Sequence, residues 1–260
     1  MTKKLRNKPL VEALLELKWK LDEVPPGSGA LRDPAYPIFT GRLYDRLKST
    51  YPHIESLPSV HVPDELTPHV AKYRFRKTKD GWPLVQAGPG VATLNFTETY
   101  DWDTFLAASE PFFSALLDVY VVKDVTQRPP FTSIMLRYIN AIEFSPIAED
   151  LLRYLDQKFH TRAVVPEKIL KGEEVSGPPQ GLQLMMNFDL KTPRGVGSIR
   201  LGTGTKKERP ALIWDLNITS SNNECPQNIE HFKNWLITAH DVAEKWFFAL
   251  IEGDLERQFE

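Results

Sequence analysis

Cysteine is almost absent from this 260-residue chain, which contains Cys225 alone. A single thiol cannot form an internal disulfide, and no second cysteine or closely spaced histidine pair completes a zinc motif. The six histidines are scattered along the sequence. We therefore expect neither a disulfide scaffold nor a metal site, and no cofactor.

Long hydrophobic runs are also missing. No stretch approaches the roughly 20 apolar residues that a membrane-spanning helix needs. Glu12 and Glu16 interrupt the N-terminal region where a secretion signal requires an apolar segment. We expect a cytoplasmic protein without a membrane partner.

Phosphate-binding glycine loops are a third absence. The segments 195–197 and 202–204 each have glycine at both ends, but both lie between predicted strands with no helix after them. A phosphate loop needs a helix N-terminus directly behind it. Cys225 precedes the last helix, whose N-terminus would lower the pKa of a thiol, and with His231 it would form a nucleophile pair. An inert thiol is the better interpretation, and no catalytic residue is assigned.

The chain repeats itself. Leu94-Asn95-Phe96-Thr97 recurs as Leu216-Asn217-Ile218-Thr219, 122 positions later, and the run 11–21 is matched by 134–144, 123 positions later. Two anchors at nearly one offset predict an internal duplication. We expect repeats at 1–125 and 126–260 that together form one continuous structural domain.

The run 11–21 has two competing interpretations. Apolar residues occupy its odd positions and charged residues most of its even ones, which is typical of a strand with one buried face. Leu10, Leu14, Leu17 and Leu21 also have helical spacing. We favour the strand, because the matching run 134–144 is rich in β-formers.

Both halves have the predicted order β-α-β-β-β-α. After its first strand, the first half has a predicted helix at 38–50, a strand at 70–77, a strand that follows the turn at 80–81 and ends at 87, a strand at 91–97, and a helix at 102–119. The second half has a helix at 147–160, strands at 182–190, 196–201 and 212–219, and a helix at 228–256. This order predicts an α+β fold, with duplicated units forming a curved antiparallel sheet and helices packed on one face. Asp101 or Asp103 is the expected N-cap of the helix at 102–119, and Trp235 and Phe247 should be buried.

Two short motifs carry a family resemblance. Asn7-Lys8-Pro9-Leu10-Val11-Glu12-Ala13, followed by Leu-Leu-Glu-Leu, and Arg137-Tyr138-Ile139-Asn140 resemble motifs of a sporadically distributed bacterial family with no assigned activity. Ala141 stands where that family has a basic residue. The resemblance implies a bacterial protein from a defence-type or mobile gene cluster. The element order is similar to the repeats of the TATA-binding protein and to helix-grip folds.

Basic residues concentrate in the two predicted meanders, although the chain as a whole has a net charge of −2. Lysine and arginine on one sheet face would attract a polyanion, but at hairpins and edges they also prevent strands from pairing with other chains. We expect Lys72, Arg74 and Arg76 to be exposed and unpaired. The candidate partner-binding or polyanion-binding residues are Lys72, Arg74, Arg76, Lys77, Lys79, Arg194, Arg200, Lys206, Lys207 and Arg209.

Three further charges belong to the first strands of the two repeats. If these strands meet, Glu12 and Glu16 can form ion pairs with Arg137 across the junction. A structural ion pair is favoured over an acid–base dyad, because the latter needs a carboxylate perturbed in a cleft.

The sequence favours a non-catalytic binding or adaptor protein that recognises a macromolecular partner, in a bacterial defence or toxin-linked module. A protein encoded by a neighbouring gene is the expected partner, and a homo-oligomer is compatible with the sequence. The alternatives are nucleic-acid binding through the basic sheet face, and an enzyme with a site at the repeat junction. The enzyme would be favoured by a cleft that holds a carboxylate, a histidine and Cys225 together.

Overall fold

A computed structural model describes residues 5–97, 99–120, 131–145 and 150–260. The protein is α+β: nine strands form one antiparallel sheet, and helices pack against it. The strands are β1 Leu10–Trp19, β2 Asp22–Glu23, β3 Leu31–Arg32, β4 His53–Ser56, β5 Tyr73–Arg76, β6 Leu84–Gly88, β7 Val91–Phe96, β8 Phe131–Glu143, β9 Gln183–Lys191, β10 Arg194–Lys206 and β11 Arg209–Ser221. The helices are α1 Tyr36–Leu47, α2 Trp102–Val119, α3 Leu151–Phe159, α4 Glu167–Leu170, α5 Ile229–Ile251 and α6 Asp254–Phe259.

The strand order of the large sheet is β4-β5-β6-β7-β1-β8-β11-β10-β9, while β2 and β3 form a separate ribbon. The long strands β1 and β8 pair at the centre. The short strand β4 was not predicted, because its sequence His-Ile-Glu-Ser is polar and only four residues long. Because β4 forms the edge of the sheet and pairs with β5, its side chains lie beside the charged side chains of β5.

The strand interpretation of residues 11–21 is confirmed, since β1 is extended from Leu10 to Trp19. Ala13, Leu15 and Leu17 are fully buried in the main hydrophobic cluster, together with residues of α1, α2 and α5. Glu12 and Glu16 lie on the opposite face of the sheet and are half-buried. The period of two therefore outweighs the helical spacing of the leucines, because it separates apolar from charged residues.

Side-chain caps fix where two of the long helices begin. The predicted cap Asp101 is confirmed: its carboxylate accepts from the backbone N–H of Thr104 at 3.3 Å, and α2 starts at Trp102. Asn228 caps α5 by accepting from the N–H of His231 at 2.9 Å. Such caps satisfy N–H groups that the first turn leaves without partners. The predicted final helix is divided at Gly253, whose φ of +93° is incompatible with a continuing right-handed helix.

Of the two residues of α5 that were predicted to be buried, Trp235 is buried and Phe247 is not. Trp235 is buried, and its indole N–H donates to the hydroxyl of Ser220 at 2.8 Å. Phe247 is only half-buried: it packs against Trp214 but also lines an open cavity. Within the described ranges, no helix combines the length and apolar character needed to cross a bilayer.

Candidate functional site

A cavity of about 200 Å³ lies where β8, the start of α2 and the middle of α5 meet. We call it the Tyr–His pocket. Its polar wall is formed by Tyr100, Trp102, Tyr138, Asn140, His240 and Glu244, and its apolar wall includes Leu10, Leu216, Phe247 and Phe248.

Regular structure positions the polar side chains. Side chains alternate along β8, so Tyr138 and Asn140 lie on the face of the sheet that the helices cover. The other side chains of β8 on this face are mainly hydrophobic. His240 and Glu244 are four residues apart on α5 and share one helix face. Lys8 approaches from the N-terminal segment and donates its Nζ to the carbonyl oxygen of Tyr100 at 2.7 Å.

A hydrogen-bonded chain runs along the inner wall. The hydroxyls of Tyr100 and Tyr138 are 2.9 Å apart, and the Tyr138 hydroxyl is 2.9 Å from Nδ1 of His240. A phenol is a better donor than acceptor towards a neutral imidazole, so we assign the His240 proton to Nε2. Trp102 stacks on the imidazole and holds its orientation.

Two N–H groups of this wall lack an acceptor. Neither Nδ2 of Asn140 nor Nε2 of His240 has a hydrogen-bond partner, although the residues are only 2 % and 8 % exposed. A buried donor without a partner typically costs about 1–3 kcal/mol. Buried polar groups are nearly always satisfied, so two unsatisfied donors on residues that line one cavity make this wall a candidate binding surface.

Burial also sets the charge states in the pocket. It lowers the pKa of His240 from 6.5 to about 4, so the imidazole is neutral at pH 7. Burial raises the pKa of Tyr138 well above its usual value, so its hydroxyl keeps its proton. Burial and the neighbouring Asp241 raise the pKa of Glu244. The part of the wall formed by Tyr138, Asn140 and His240, which we call the inner wall, is therefore polar but uncharged.

The expectation that Lys72, Arg74 and Arg76 are exposed and unpaired is wrong. Lys72 is 2 % exposed, and its Nζ contacts Asp64 and the carbonyl oxygen of Val62, both at 2.5 Å. Nε of Arg76 donates to Glu55 at 2.7 Å, and Nη1 of Arg74 lies 3.6 Å from the same carboxylate. The cause is β4 and the loop after it, which bring Glu55 and Asp64 over β5. Lys77 and Lys79 are exposed.

The cations of the second meander are mostly paired as well, and they lie far from β5. Arg194 is 3.7 Å from Glu224, Arg209 is 3.0 Å from Glu143, and Lys206 donates to the carbonyl oxygen of Ala141. Arg200 and Lys207 are exposed. Five strands separate β5 from β10, so the two basic sets do not form one patch.

The junction charges lie on neighbouring strands but do not pair with one another. Arg137 instead forms a two-pronged ion pair with Asp215 of β11, with Nε–Oδ1 at 2.9 Å and Nη2–Oδ2 at 2.5 Å. Glu12 accepts from Nδ2 of Asn95, and Glu16 pairs with Lys18. The sequence did not predict Asp215 as the partner of Arg137. Asp215 of β11 pairs with Ile139 of β8, two positions from Arg137, and this proximity exists only in the folded sheet.

Cys225 is not part of the pocket. Its thiol is buried and lies 3.3 Å from the carbonyl oxygen of Ser220, and burial raises its pKa to about 11. Nδ1 of His231 contacts Asn228 rather than the thiol. The pocket thus combines a histidine and a carboxylate without the cysteine that the enzyme hypothesis required. Among the described residues, no three histidine, cysteine, aspartate or glutamate side chains are grouped to hold a metal ion.

Comparison with known proteins gives no match to a family model and no match to a curated protein. The pocket itself unites the two motifs that carry the resemblance described above. Lys8, Pro9 and Leu10 come from the first motif, and Tyr138 and Asn140 come from the second.

Proposed function

We propose that this protein is a non-catalytic binding protein whose Tyr–His pocket holds one ring-sized group of a partner. The observation that carries the proposal is a pair of buried donors without an acceptor, Asn140 Nδ2 and His240 Nε2, on two residues that line one cavity. A bound oxygen acceptor would remove the energetic penalty of both groups.

The size of the cavity limits what it can hold. An engineered apolar cavity of about 150 Å³ binds benzene, whereas pockets for drug-sized ligands measure about 300–1,000 Å³. At about 200 Å³, the Tyr–His pocket fits a single ring with one or two substituents. That size suits an anchor side chain of a partner or a small metabolite, and it is too small for a dinucleotide.

Recognition fits the chemistry of the wall better than catalysis. Nδ1 of His240 is occupied by Tyr138, so the imidazole offers a donor rather than a general base. Among the described lining residues there is no cysteine, serine or threonine to act as a nucleophile. Glu244, with its raised pKa, would support the enzyme alternative.

The wider biological setting is also a proposal. In it, the protein is an adaptor of a bacterial defence or toxin-linked module, and its partner protein inserts an anchor side chain into the pocket. Anchor side chains that fill a pocket supply much of the affinity of many interfaces. The two resemblance motifs support this setting because both contribute to the pocket wall.

The strand register supports the predicted internal duplication, which we propose as the origin of the binding scaffold. Ala13 of β1 faces Phe96 of β7, and Leu136 of β8 faces Ile218 of β11, so the strand register repeats the sequence offsets of 123 and 122. The strand order supports it too, since β5-β6-β7-β1 and β9-β10-β11-β8 flank the centre of the sheet in mirrored order.

Benzamide tests the proposal, because it combines one ring with a neutral carbonyl. We expect saturable binding by isothermal titration calorimetry, at least ten-fold weaker in Asn140→Leu. Asn217→Leu is the matched control, since Asn217 is also buried but lies on the other face of the sheet. Equal binding by the wild type and Asn140→Leu, or no binding at all, would contradict the proposal.

Nucleic-acid binding remains the second candidate. It is supported by the exposed Arg200, Lys77 and Lys79, which make no ion pair among the described residues. A protein that neutralises phosphates loses affinity steeply as salt rises. A salt-independent interaction, or none, with single-stranded and duplex DNA and RNA would remove this candidate.

A further inference from the structure

Strand β9 forms one edge of the nine-stranded sheet, and among the described residues it pairs with β10 alone. None of its nine residues is buried. The opposite edge of the sheet is formed by β4, which has only four residues. A long edge strand presents a row of N–H and C=O groups with which a further strand can pair.

The usual protections of an edge strand are missing from β9. It contains no proline, and its register with β10 is regular from Lys191 to Gln183, without a bulge. Its two charged residues, Asp189 and Lys191, both lie near the turn into β10. Proteins shorten, bend or charge an edge that must stay unpaired, so a long and unprotected edge indicates a strand that has a partner.

One face of β9 carries a continuous apolar row. Leu184 and Met186 pack against a hydrophobic cluster of β10, β11 and α3, and Phe188 meets Trp246 of α5 with ring centroids 5.2 Å apart. Leu190 completes the row on the helix-covered face. The row is only partly covered, and Phe188 remains 43 % exposed. The apolar layer beneath the helices therefore ends at β9 with a margin that water still reaches.

The apolar row is compatible with pairing to itself. In an antiparallel pair, directly opposite residues point to the same side of the sheet. A two-fold axis through Asn187, the middle residue of β9, pairs all nine residues with those of a second copy. This register places Leu184 opposite Leu190 and Met186 opposite Phe188. The apolar layer then continues from one copy into the other.

The other face of β9 fits the same register. Met185 comes to lie opposite Asp189, Gln183 opposite Lys191, and Asn187 opposite its own counterpart. Directly opposed like charges would weaken such a pair, and this arrangement of β9 creates none.

We propose that two copies of this chain form a symmetric dimer by antiparallel pairing of β9 with β9 about Asn187, so that the two sheets become one. A second copy is the occupant that the strand itself specifies, because its apolar and charged positions match under the two-fold rotation. The dimer does not depend on the pocket function, since none of the described lining residues of the Tyr–His pocket belongs to β9.

Analytical ultracentrifugation of the full chain over a concentration series tests the dimer. We expect the wild type to sediment as a dimer that dissociates on dilution. Asn187→Lys and Asn187→Glu each place like charges opposite one another at the axis, so each variant alone should dimerise about five-fold more weakly. An equimolar mixture of the two should restore the dimer, because lysine then lies opposite glutamate, and restoration also shows that both variants are folded.

Two further positions control for the site and for misfolding. Ile54→Lys places a lysine at an exposed position of β4, on the opposite edge of the sheet, and should leave dimerisation unchanged. Met185 is 52 % exposed and tests the register independently of Asn187. Met185→Lys lies opposite Asp189 and should strengthen the dimer, whereas Met185→Asp should weaken it.

A wild type that stays monomeric throughout the series overturns the proposal and leaves β9 open to a strand of a different protein. A dimer that Ile54→Lys weakens, or that no substitution in β9 changes, uses another surface and also overturns it. A mixture that dimerises no better than either Asn187 variant alone overturns the register. Benzamide binding should be the same in every variant, so the pocket function stands or fails separately.

Discussion

His240 lies flat against Trp102, with ring centroids 3.7 Å apart and ring planes 14° from parallel. This stacking shields one face of the imidazole from water, and Tyr138 occupies its Nδ1. Burial and the hydrogen bond from Tyr138 to Nδ1 favour the neutral ring. The charged form would lose hydration without gaining an acidic partner within hydrogen-bonding distance among the described residues.

The first prediction is a pH dependence of stability that originates from His240. Its pKa falls from 6.5 to about 4 in the folded state, because burial disfavours the charged form. Above pH 6.5 the ring is neutral in both states. As the pH falls from 6.5 to 4, only the unfolded chain gains the proton, so about 3 kcal/mol of stability is lost.

Urea denaturation of the wild type and His240→Phe at pH 7.5, 5.5 and 4.5 measures this loss. The difference between the two proteins isolates His240 from the other groups that titrate in this range, including Glu244 and Asp241 on the same helix. We expect the wild type to lose more stability than the variant as the pH falls. Parallel pH profiles would show that His240 is not held neutral.

The second prediction is that Asn140→Leu does not destabilise the protein and raises the free energy of unfolding by about 1 kcal/mol, because it removes buried donors without partners. Asn95→Leu is the matched comparison. Asn95 is equally buried at 2 % exposure, but its Nδ2 donates to Glu12 at 2.7 Å. That variant should lose about 2 kcal/mol. A loss of similar size in both would assign Asn140 a structural role.

The third prediction concerns Lys72. Lys72→Ser should lower the free energy of unfolding by about 2 kcal/mol, because it removes the contacts of a buried ammonium group with the half-buried Asp64 and with the carbonyl oxygen of Val62. Lys79→Ser, at an exposed position on the same hairpin, should change it by less than about 0.5 kcal/mol. If thermal melts show that both substitutions change stability equally little, Lys72 makes no stabilising contact and becomes a candidate partner-binding residue again.

The fourth prediction is that Cys225 is unreactive in the native protein. Only the thiolate reacts readily, and burial raises the pKa of this thiol to about 11. An aromatic disulfide reagent at pH 8 should label the denatured chain completely and the native chain at least a hundred-fold more slowly. Rapid native labelling would show an accessible thiolate and reopen the Cys225 enzyme hypothesis.

The sequence predicted the longer strands and the long helices, because local periodicity determines them. The alternation in β1 and the cap Asp101 depend on residues within a few positions of each other. The charges of β5 were misjudged for the opposite reason. Their partners Glu55 and Asp64 come from a strand and a loop that only the tertiary structure brings together.

The pocket was not predicted, although one signal was present. Asn140 interrupts the apolar parity of β8, between Tyr138 and Ile142, at a position that should be buried. A polar residue there requires a partner or a ligand. His240 was hidden in the apolar stripe of α5, and its neighbours Tyr100 and Trp102 belong to a different part of the chain.

The most direct test of the account observes the two donors themselves. Nuclear magnetic resonance of ¹⁵N-labelled protein reports the side-chain amide of Asn140 and the Nε2 of His240 while benzamide is added. We predict that both signals move to saturation with one dissociation constant, and that Asn140→Leu abolishes the His240 shift. If neither signal moves at saturating benzamide, the two donors do not bind a ligand of this kind, and the central claim is contradicted.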